Sequence, residues 1–164
     1  MATFMLWLTL LAAPQPIATN PWLDGAATLV SAGGWAALWI NEAQLNDPSC
    51  PCDSDAVAPY DRWVLNSKAN TERVADVLAG MTLAIPPLVL AIGGREHLLS
   101  DSLVVLQSVM MTGFFTHIAK VSASRPYPYM YARDVDPQRE GDGINYSSMW
   151  SGHTAVPMAA AVSL

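Results

Sequence analysis

The chain has 164 residues, of which 52% are hydrophobic and only 13% are charged, and its net charge is −6. An ordinary soluble domain carries about 25% charged residues, so this composition favours one domain of a membrane or exported protein over a cytosolic protein. A nucleic-acid surface needs clustered Lys and Arg, and the acidic balance excludes it.

Residues 1–19 are predicted to be a signal peptide or signal anchor. Their run MATFMLWLTLLAAPQP is apolar and has the length of a signal peptide. Small residues for cleavage occur at Leu11-Ala12-Ala13, whereas the usual basic start is missing. An ordinary buried or membrane helix is the alternative. The remaining residues, 20–164, are predicted to form one partial domain.

An apolar helix is predicted over residues 25–41, followed by a loop with several prolines over residues 42–61. That loop contains the two cysteines of the chain, Cys50 and Cys52. One intervening residue is too few for a relaxed disulfide between them, and two ligands do not complete a zinc site. Either they pair outside this chain or they are free thiols, and the sequence assigns them no role.

A helical pattern restarts in DRWVLNSKANTERVADVLAG and leads into the apolar segment 81–94. Pro86-Pro87 is expected to kink or break this helix, and Gly93-Gly94 to end it. Residues 102–119 contain no Asp, Glu, Lys or Arg and reach the lower length limit of a membrane span. A buried core helix is the alternative for them.

A polar loop is predicted over residues 121–150, and after His153 the chain continues as the apolar run TAVPMAAAVSL. This last run has no capping residue, so we expect the natural protein to continue beyond Leu164. Strand patterns are poor throughout, and the predicted fold is all-α. The sequence does not decide whether the helices span a membrane or form a bundle in solution.

The segment SSMWSGHTAVPM contains the first candidate site. A helix beginning near His153 would offer unpaired backbone amides and a partial positive charge. Gly152 would let the backbone approach an oxyanion closely, Ser151 would donate a further hydrogen bond, and His153 would protonate a leaving oxygen. A plain Ser or Thr cap with a bystander histidine is the alternative.

The segment IAKVSASRPYPYMYARD contains the second candidate site. Lys120 closes the charge-free helix, and Arg125 follows five residues later, before a rigid Pro-Tyr-Pro turn. Lys as a point charge and Arg as a fork both suit a phosphate. A lysine extending to the helix end and a solvated loop arginine are the alternative.

Together, the two segments resemble in order and spacing the first two signatures of the type 2 phosphatidic acid phosphatase superfamily. That superfamily includes membrane lipid phosphatases, soluble bacterial acid phosphatases and vanadate-dependent haloperoxidases. Its first signature is Lys, six residues, Arg-Pro, and its second is Pro-Ser-Gly-His. Lys120 matches the first, and SSMWSGHTA matches the second with Trp150 in place of the proline. The resemblance covers residues 20–164, with specific motifs only from residue 117 onward.

Two departures from the family pattern concern the phosphate site. Tyr127 stands where the family has its phosphate-binding arginine, and we expect Arg125 to substitute in part. The third signature, Ser-Arg, five residues, His, three residues, Asp, is absent from the 164 residues. In the family it supplies the nucleophilic histidine, which we expect beyond Leu164. His117 is expected in a core or supporting role, and His97 in the connection at the opposite end.

The resemblance implies a helical bundle in or at a membrane and a metal-independent phosphatase. Its substrates would be phosphate monoesters or pyrophosphates of lipids, hydrolysed through a phosphohistidine. His153 would be the catalytic acid, and the phosphate would be bound by Lys120, Arg125, Tyr127, Ser151 and Gly152. No cofactor or metal is implied, although vanadate would mimic phosphate.

The implied location is a bacterial cell envelope, at the inner membrane or in the periplasm, with the site facing outward. The partner would be a phosphorylated lipid or a small phosphate ester, and no nucleic acid. A vanadate-dependent haloperoxidase and an inactive membrane protein of the same fold remain as alternatives.

Overall fold

The computed structural model describes residues 19–48, 52–57, 59, 62, 65, 72–93, 98–131 and 137–163. Within these ranges the structure is all-α and has no strand, which confirms the predicted fold class. Short 3-10 helices occur in the connections, among them Ser54–Ala56, Pro128–Tyr131 and Gly143–Tyr146. The α-helices, α1 to α6, are Pro21–Ile40, Glu42–Leu45, Glu72–Gly93, Leu98–Ala123, Pro137–Glu140 and Gly152–Val162.

Helix α1 begins four residues before the predicted start. Asn20 is its N-cap, and the Asn20 side-chain oxygen accepts hydrogen bonds from the amides of Trp22 at 3.2 Å and Leu23 at 3.3 Å. The Asp24 carboxylate in turn accepts the Asn20 amide at 2.7 Å. This reciprocal capping satisfies amides that would have no partner within the helix, so the helix starts at Pro21.

The sequence predicted a kink or a break at Pro86-Pro87, and the break is wrong, because α3 runs from Glu72 to Gly93 through both prolines. A proline lacks an N–H and crowds the carbonyl four residues earlier, so the local preference is against this helix. The Pro86 side chain is fully buried, and α3 packs against α6. We attribute the continuity of the helix to this packing. The end at Gly93 agrees with the prediction.

Helix α4 is longer at both ends than the predicted segment 102–119. It carries Asp101 in its first turn and Lys120 in its last turn, where each charge opposes the partial charge of the helix end. Ser124 follows the helix with a φ of 40°, in the left-handed region. Its amide bonds the Lys120 carbonyl at 2.9 Å, and its hydroxyl donates to the Val121 carbonyl at 3.0 Å. This turn ends α4.

Helices α1 and α4 cross at two reciprocal glycine–aromatic contacts. A Cβ on Gly34 would lie 2.5 Å from the ring of Phe114, and a Cβ on Gly113 would lie 2.6 Å from the ring of Trp35. Each glycine therefore provides the space that the aromatic ring of the other helix occupies. The two helices are held at the short distance that only a missing side chain permits.

The exterior of the long helices is strongly apolar. Two segments, Val74–Ile92 and Leu98–Tyr131, are long and apolar enough to cross a membrane, and only 6% of the first is buried inside the molecule. The core helix of a soluble protein would be mostly buried. The large exposed apolar side chains of α1 and α3 are Trp22, Leu23, Leu29, Val30, Trp39, Ile40, Val74, Val77, Leu78, Met81, Ile85, Leu88, Val89 and Ile92.

The interior is comparatively polar. Val105, Met130, Tyr146, Val156 and Ala160 are the buried hydrophobic residues of the described part. The buried polar residues outnumber them and are Thr28, Ser31, Glu42, Asn46, Thr116, His117, Asn145 and Ser147. The described bundle thus places apolar side chains outside and hydrogen-bonding side chains inside.

The predicted loop 42–61 is more structured than expected, since it contains α2 and the 3-10 helix Ser54–Ala56. Cys52 is disulfide-bonded, so the free-thiol alternative is wrong for this residue. Cys50 lies outside the described residues, as do the predicted export segment up to residue 18 and His97.

Gly34→Ala is expected to destabilise the protein by about 1–3 kcal/mol, because the new methyl group overlaps the Phe114 ring. Gly33→Ala is the matched control: a Cβ at Gly33 meets nothing within 4 Å, and alanine favours a helix by about 1 kcal/mol over glycine. Thermal unfolding in detergent should therefore shift in opposite directions for the two variants. Equal shifts would contradict the close crossing.

Candidate functional site

A cavity of about 410 Å³ lies among α1, α3, α4 and the start of α6. Four of the residues predicted to act in the site line it, and they are Lys120, Tyr127, Gly152 and His153. They come from two segments whose signatures lie about thirty residues apart in the sequence. The fold therefore brings the two candidate segments together. We call this space the Lys120 cavity.

Lys120 reaches the Lys120 cavity from the last turn of α4. Its ammonium group makes no hydrogen bond or ion pair with any residue in the described part of the chain. It is partly exposed. An ammonium group without a partner on a cavity wall is suited to an anionic ligand.

Helix α6 begins at Gly152, so the predicted start close to His153 is confirmed. Ser151 is the N-cap by its extended backbone, yet its side chain makes no capping hydrogen bond. The amides of Gly152 and His153 lie in the first turn, where no carbonyl of a preceding turn can accept them. The alternative of a hydroxyl cap therefore does not apply to Ser151, whose hydroxyl group is left for another use.

Ser151 does not line the Lys120 cavity but an adjacent space of about 560 Å³ between α3 and α6. We call this space the α3–α6 groove. Its other lining residues are mostly apolar and include Leu78, Ile85 and Met158. His153 lines both spaces, so its ring stands at the boundary between the cavity that contains Lys120 and an apolar groove.

Arg125 lies apart from the Lys120 cavity. It is exposed and lines a separate cavity of about 190 Å³ with Pro126, Tyr131 and Ser148. The left-handed turn at Ser124 follows the end of the helix between Lys120 and Arg125, and the two cations line different cavities. The structure does not bring them together, and a phosphate role for Arg125 stays a prediction.

Backbone hydrogen bonds join the two candidate segments. The Tyr127 amide donates to the Asn145 carbonyl at 2.9 Å, and the Ser148 amide donates to the Arg125 carbonyl at 3.0 Å. These bonds fix the loop after α4 against the loop before α6. The relative position of Lys120 and His153 therefore depends on this pairing.

Asn46, directly after α2, contacts both of these loops through its side chain. Its side-chain amide donates to the hydroxyl of Ser147 at 2.8 Å, and both residues are buried. The Ser124 hydroxyl oxygen lies 3.4 Å from the Asn46 side-chain oxygen. At Gly143 a Cβ would overlap the carbonyl oxygen of Ala43, so the loop before α6 touches the backbone of α2 directly.

His117 is buried one helical turn before Lys120 and lines the Lys120 cavity. The indole N–H of Trp35 donates to His117 Nδ1 at 2.9 Å. The same nitrogen lies 3.3 Å from the carbonyl oxygen of Gly113. The other ring nitrogen, Nε2, lies 3.9 Å from a carboxylate oxygen of the buried Glu42. These contacts fit the supporting role predicted for His117.

Asp76 is the site residue that the sequence analysis missed. Its carboxylate oxygen Oδ1 lies 2.6 Å from His153 Nε2, and it lines the Lys120 cavity. After Arg73, Asp76 is the only charged residue up to Gly93. A lone ionisable residue on an apolar helix is a signal for a functional site, and this signal was present in the sequence.

Trp150 stands where the resembling signature has proline. Its φ is 44°, in the left-handed region, and its side chain is largely exposed. This turn directly precedes Ser151 and the start of α6. The backbone entering the candidate site is therefore turned by a residue that departs from the family pattern.

Comparisons with known protein families, with curated proteins and with solved structures find no match for this chain. In the described residues no group of three or more His, Cys, Asp or Glu side chains is arranged to hold a metal ion.

Asn46→Ala and Ser147→Ala should each destabilise the protein by about 1–3 kcal/mol, because each leaves a buried polar group without its partner. Since the two side chains bond each other, their effects should not add, and a double-mutant cycle in thermal unfolding should give a coupling of about 0.5–3 kcal/mol. Asn41→Ala is the control: the exposed Asn41 side chain bonds the Ala37 carbonyl of the preceding helical turn and does not contact Ser147, so it should show no coupling to Ser147→Ala.

Proposed function

We propose that the protein is a metal-independent phosphatase that hydrolyses phosphate monoesters or pyrophosphates of lipids. The observation that carries the proposal is that Lys120 and His153, from two separate segments, line one cavity. A cation for the phosphoryl oxygens and an imidazole for the leaving oxygen are the two groups that such a hydrolysis requires from these segments.

Phosphate binding rests on Lys120 and on the start of α6. The Lys120 ammonium group has no hydrogen-bond or ion-pair partner in the described part of the chain. An anionic ligand would therefore not have to displace one. The first amides of α6 and the partial positive charge of the helix start support the same anion at Gly152. Tyr127 lines the cavity as well, and its hydroxyl group would donate to a phosphoryl oxygen.

His153 is proposed as the general acid that protonates the leaving oxygen. The ring is partly exposed, with 46% of the side chain accessible, so a substrate can reach it. In the family that the sequence resembles, a histidine of the third signature is the nucleophile. That signature does not occur in the 164 residues, so the proposed reaction requires this group from elsewhere in the natural protein.

The proposed substrate class follows from the apolar surroundings of the site. The α3–α6 groove begins at His153 and is lined mainly by apolar side chains, which suits a hydrocarbon chain next to a phosphate. The two long apolar segments support a location at a membrane. We propose a bacterial cell envelope location, at the inner membrane or in the periplasm, with the site facing outward.

The first test uses the full-length natural protein with a diacylglycerol phosphate and a prenyl pyrophosphate, in the presence of a metal chelator. Phosphate release is expected, and the activity should sediment with membranes. The combined Ser151→Ala and His153→Ala change should lower kcat/KM by about 10²–10⁴-fold, because the general acid is lost. Retained activity in that variant would refute the assignment. No release by the unaltered protein would favour an inactive membrane protein of the same fold.

Vanadate affinity provides a second test that needs no turnover. Lys120→Met should weaken vanadate binding by about tenfold or more, because a charged hydrogen bond contributes about 1.5–3 kcal/mol. Arg125→Met is the comparison, and it should lose less because Arg125 lines a different cavity. Calorimetric titration measures both. A larger loss for Arg125→Met would show that Arg125 takes the place of the family arginine, whereas vanadate-dependent bromide oxidation would indicate a haloperoxidase.

A further inference from the structure

Ionisable side chains from three apolar helices meet at the Lys120 cavity. Asp76 is the only charged residue of α3 after Arg73, and His153 is the only ionisable residue of α6. Lys120 is the first charged residue of α4 after Asp101. An ionisable group on an apolar helix is costly unless it has a partner or a function. Asp76 and His153 are partners, and both face the proposed site.

The contact between them fixes where a proton resides. Asp76 Oδ1 lies 2.6 Å from His153 Nε2. An ionised carboxylate only accepts hydrogen bonds, so Nε2 must be the donor and must carry the proton. The second ring nitrogen, Nδ1, is then the one left for a substrate. The ring orientation is also restrained, because turning it breaks this short bond.

We propose that Asp76 is the positioning residue of His153, and this proposal rests on the phosphatase function proposed above. By holding Nε2–H, Asp76 directs Nδ1 toward the leaving oxygen of the substrate. The acid form of His153 then carries a proton on each nitrogen, with its positive charge against the Asp76 carboxylate. A carboxylate that supports an imidazolium in this way acts through the histidine and does not itself touch the substrate.

Proton transfer in this step runs from His153 to the leaving group. The bond between phosphorus and the leaving oxygen breaks, and its electron pair stays on that oxygen. The Nδ1 proton forms the new O–H bond, and the phosphoryl group passes to the nucleophilic histidine that the proposed function requires. His153 is left neutral with its proton on Nε2, which is the form whose N–H bonds Asp76. The Asp76 carboxylate therefore stabilises both the protonated His153 before the transfer and the neutral His153 after it.

A purely structural role for the pair would contribute little. The Asp76 and His153 side chains are 61% and 46% exposed, and exposed ion pairs contribute about 0–1 kcal/mol to stability. Loss of the Asp76 carboxylate should therefore leave the fold intact. An effect on catalysis can then be separated from an effect on folding.

The test compares two substrates of the full-length natural protein. An alkyl phosphate has a leaving group that needs a proton, whereas 4-nitrophenyl phosphate releases a stabilised phenolate that does not. Asp76→Asn is expected to lower kcat on the alkyl phosphate by on the order of 10²-fold and on the nitrophenyl phosphate far less. Asp101→Asn, at the exposed start of α4, is the matched control and should leave both rates unchanged.

Two further variants make the outcome decisive. In a His153→Ala background, Asp76→Asn should cause no additional loss, because Asp76 acts through His153. Asp76→Glu, which keeps a carboxylate, should restore part of the alkyl phosphate rate. Equal losses on both substrates, or a further loss in the His153→Ala background, would overturn the positioning role. If the unaltered protein hydrolyses neither substrate, the proposed function itself fails, and this role fails with it.

Discussion

The close crossing of α1 and α4 is the constraint on which the remaining structure depends. Gly34 and Gly113 each leave the space for an aromatic ring of the opposite helix, and this places the Trp35 indole within hydrogen-bonding distance of His117. Helix α2 follows α1 after one residue, so the same crossing also sets the position of Asn46 beneath the site loops. Contacts between small residues and aromatic rings are stabilised by van der Waals packing and do not require the hydrophobic effect. They can therefore hold together helices whose exterior is apolar.

The sequence predicted those features that a local pattern encodes. Helical periodicity predicted the all-α fold, and the charge-free run before Lys120 predicted a helix that ends near it. The small residues around His153 predicted the start of α6. The order and spacing of the two signature segments also linked Lys120 to His153, and both residues line one cavity. These successes share a cause, because each depends on residues that lie within one or two helical turns of each other or within a recognisable motif.

Features that depend on tertiary contacts escaped prediction. Asp76 meets His153 across 77 positions of sequence, and no local pattern pairs them. Pro86-Pro87 was expected to kink or break α3, but the helix is continuous through both prolines and the Pro86 side chain is buried. Lys120 and Arg125 lie five residues apart in the sequence, yet they line different cavities. The left-handed residue Ser124 lies between them, and a positive φ at serine leaves no mark in a sequence pattern.

The left-handed backbone at Trp150 has a consequence for any attempt to introduce the proline of the resembling signature at this position. Proline locks φ near −65°, so it cannot adopt the φ of 44° found at Trp150. A proline at this position would force the turn before Ser151 to open. Glycine, which accepts this conformation without strain, is the replacement that this backbone permits. The residue at position 150 and the backbone conformation there are compatible with each other. A substitution that does not accept this conformation would displace the start of α6.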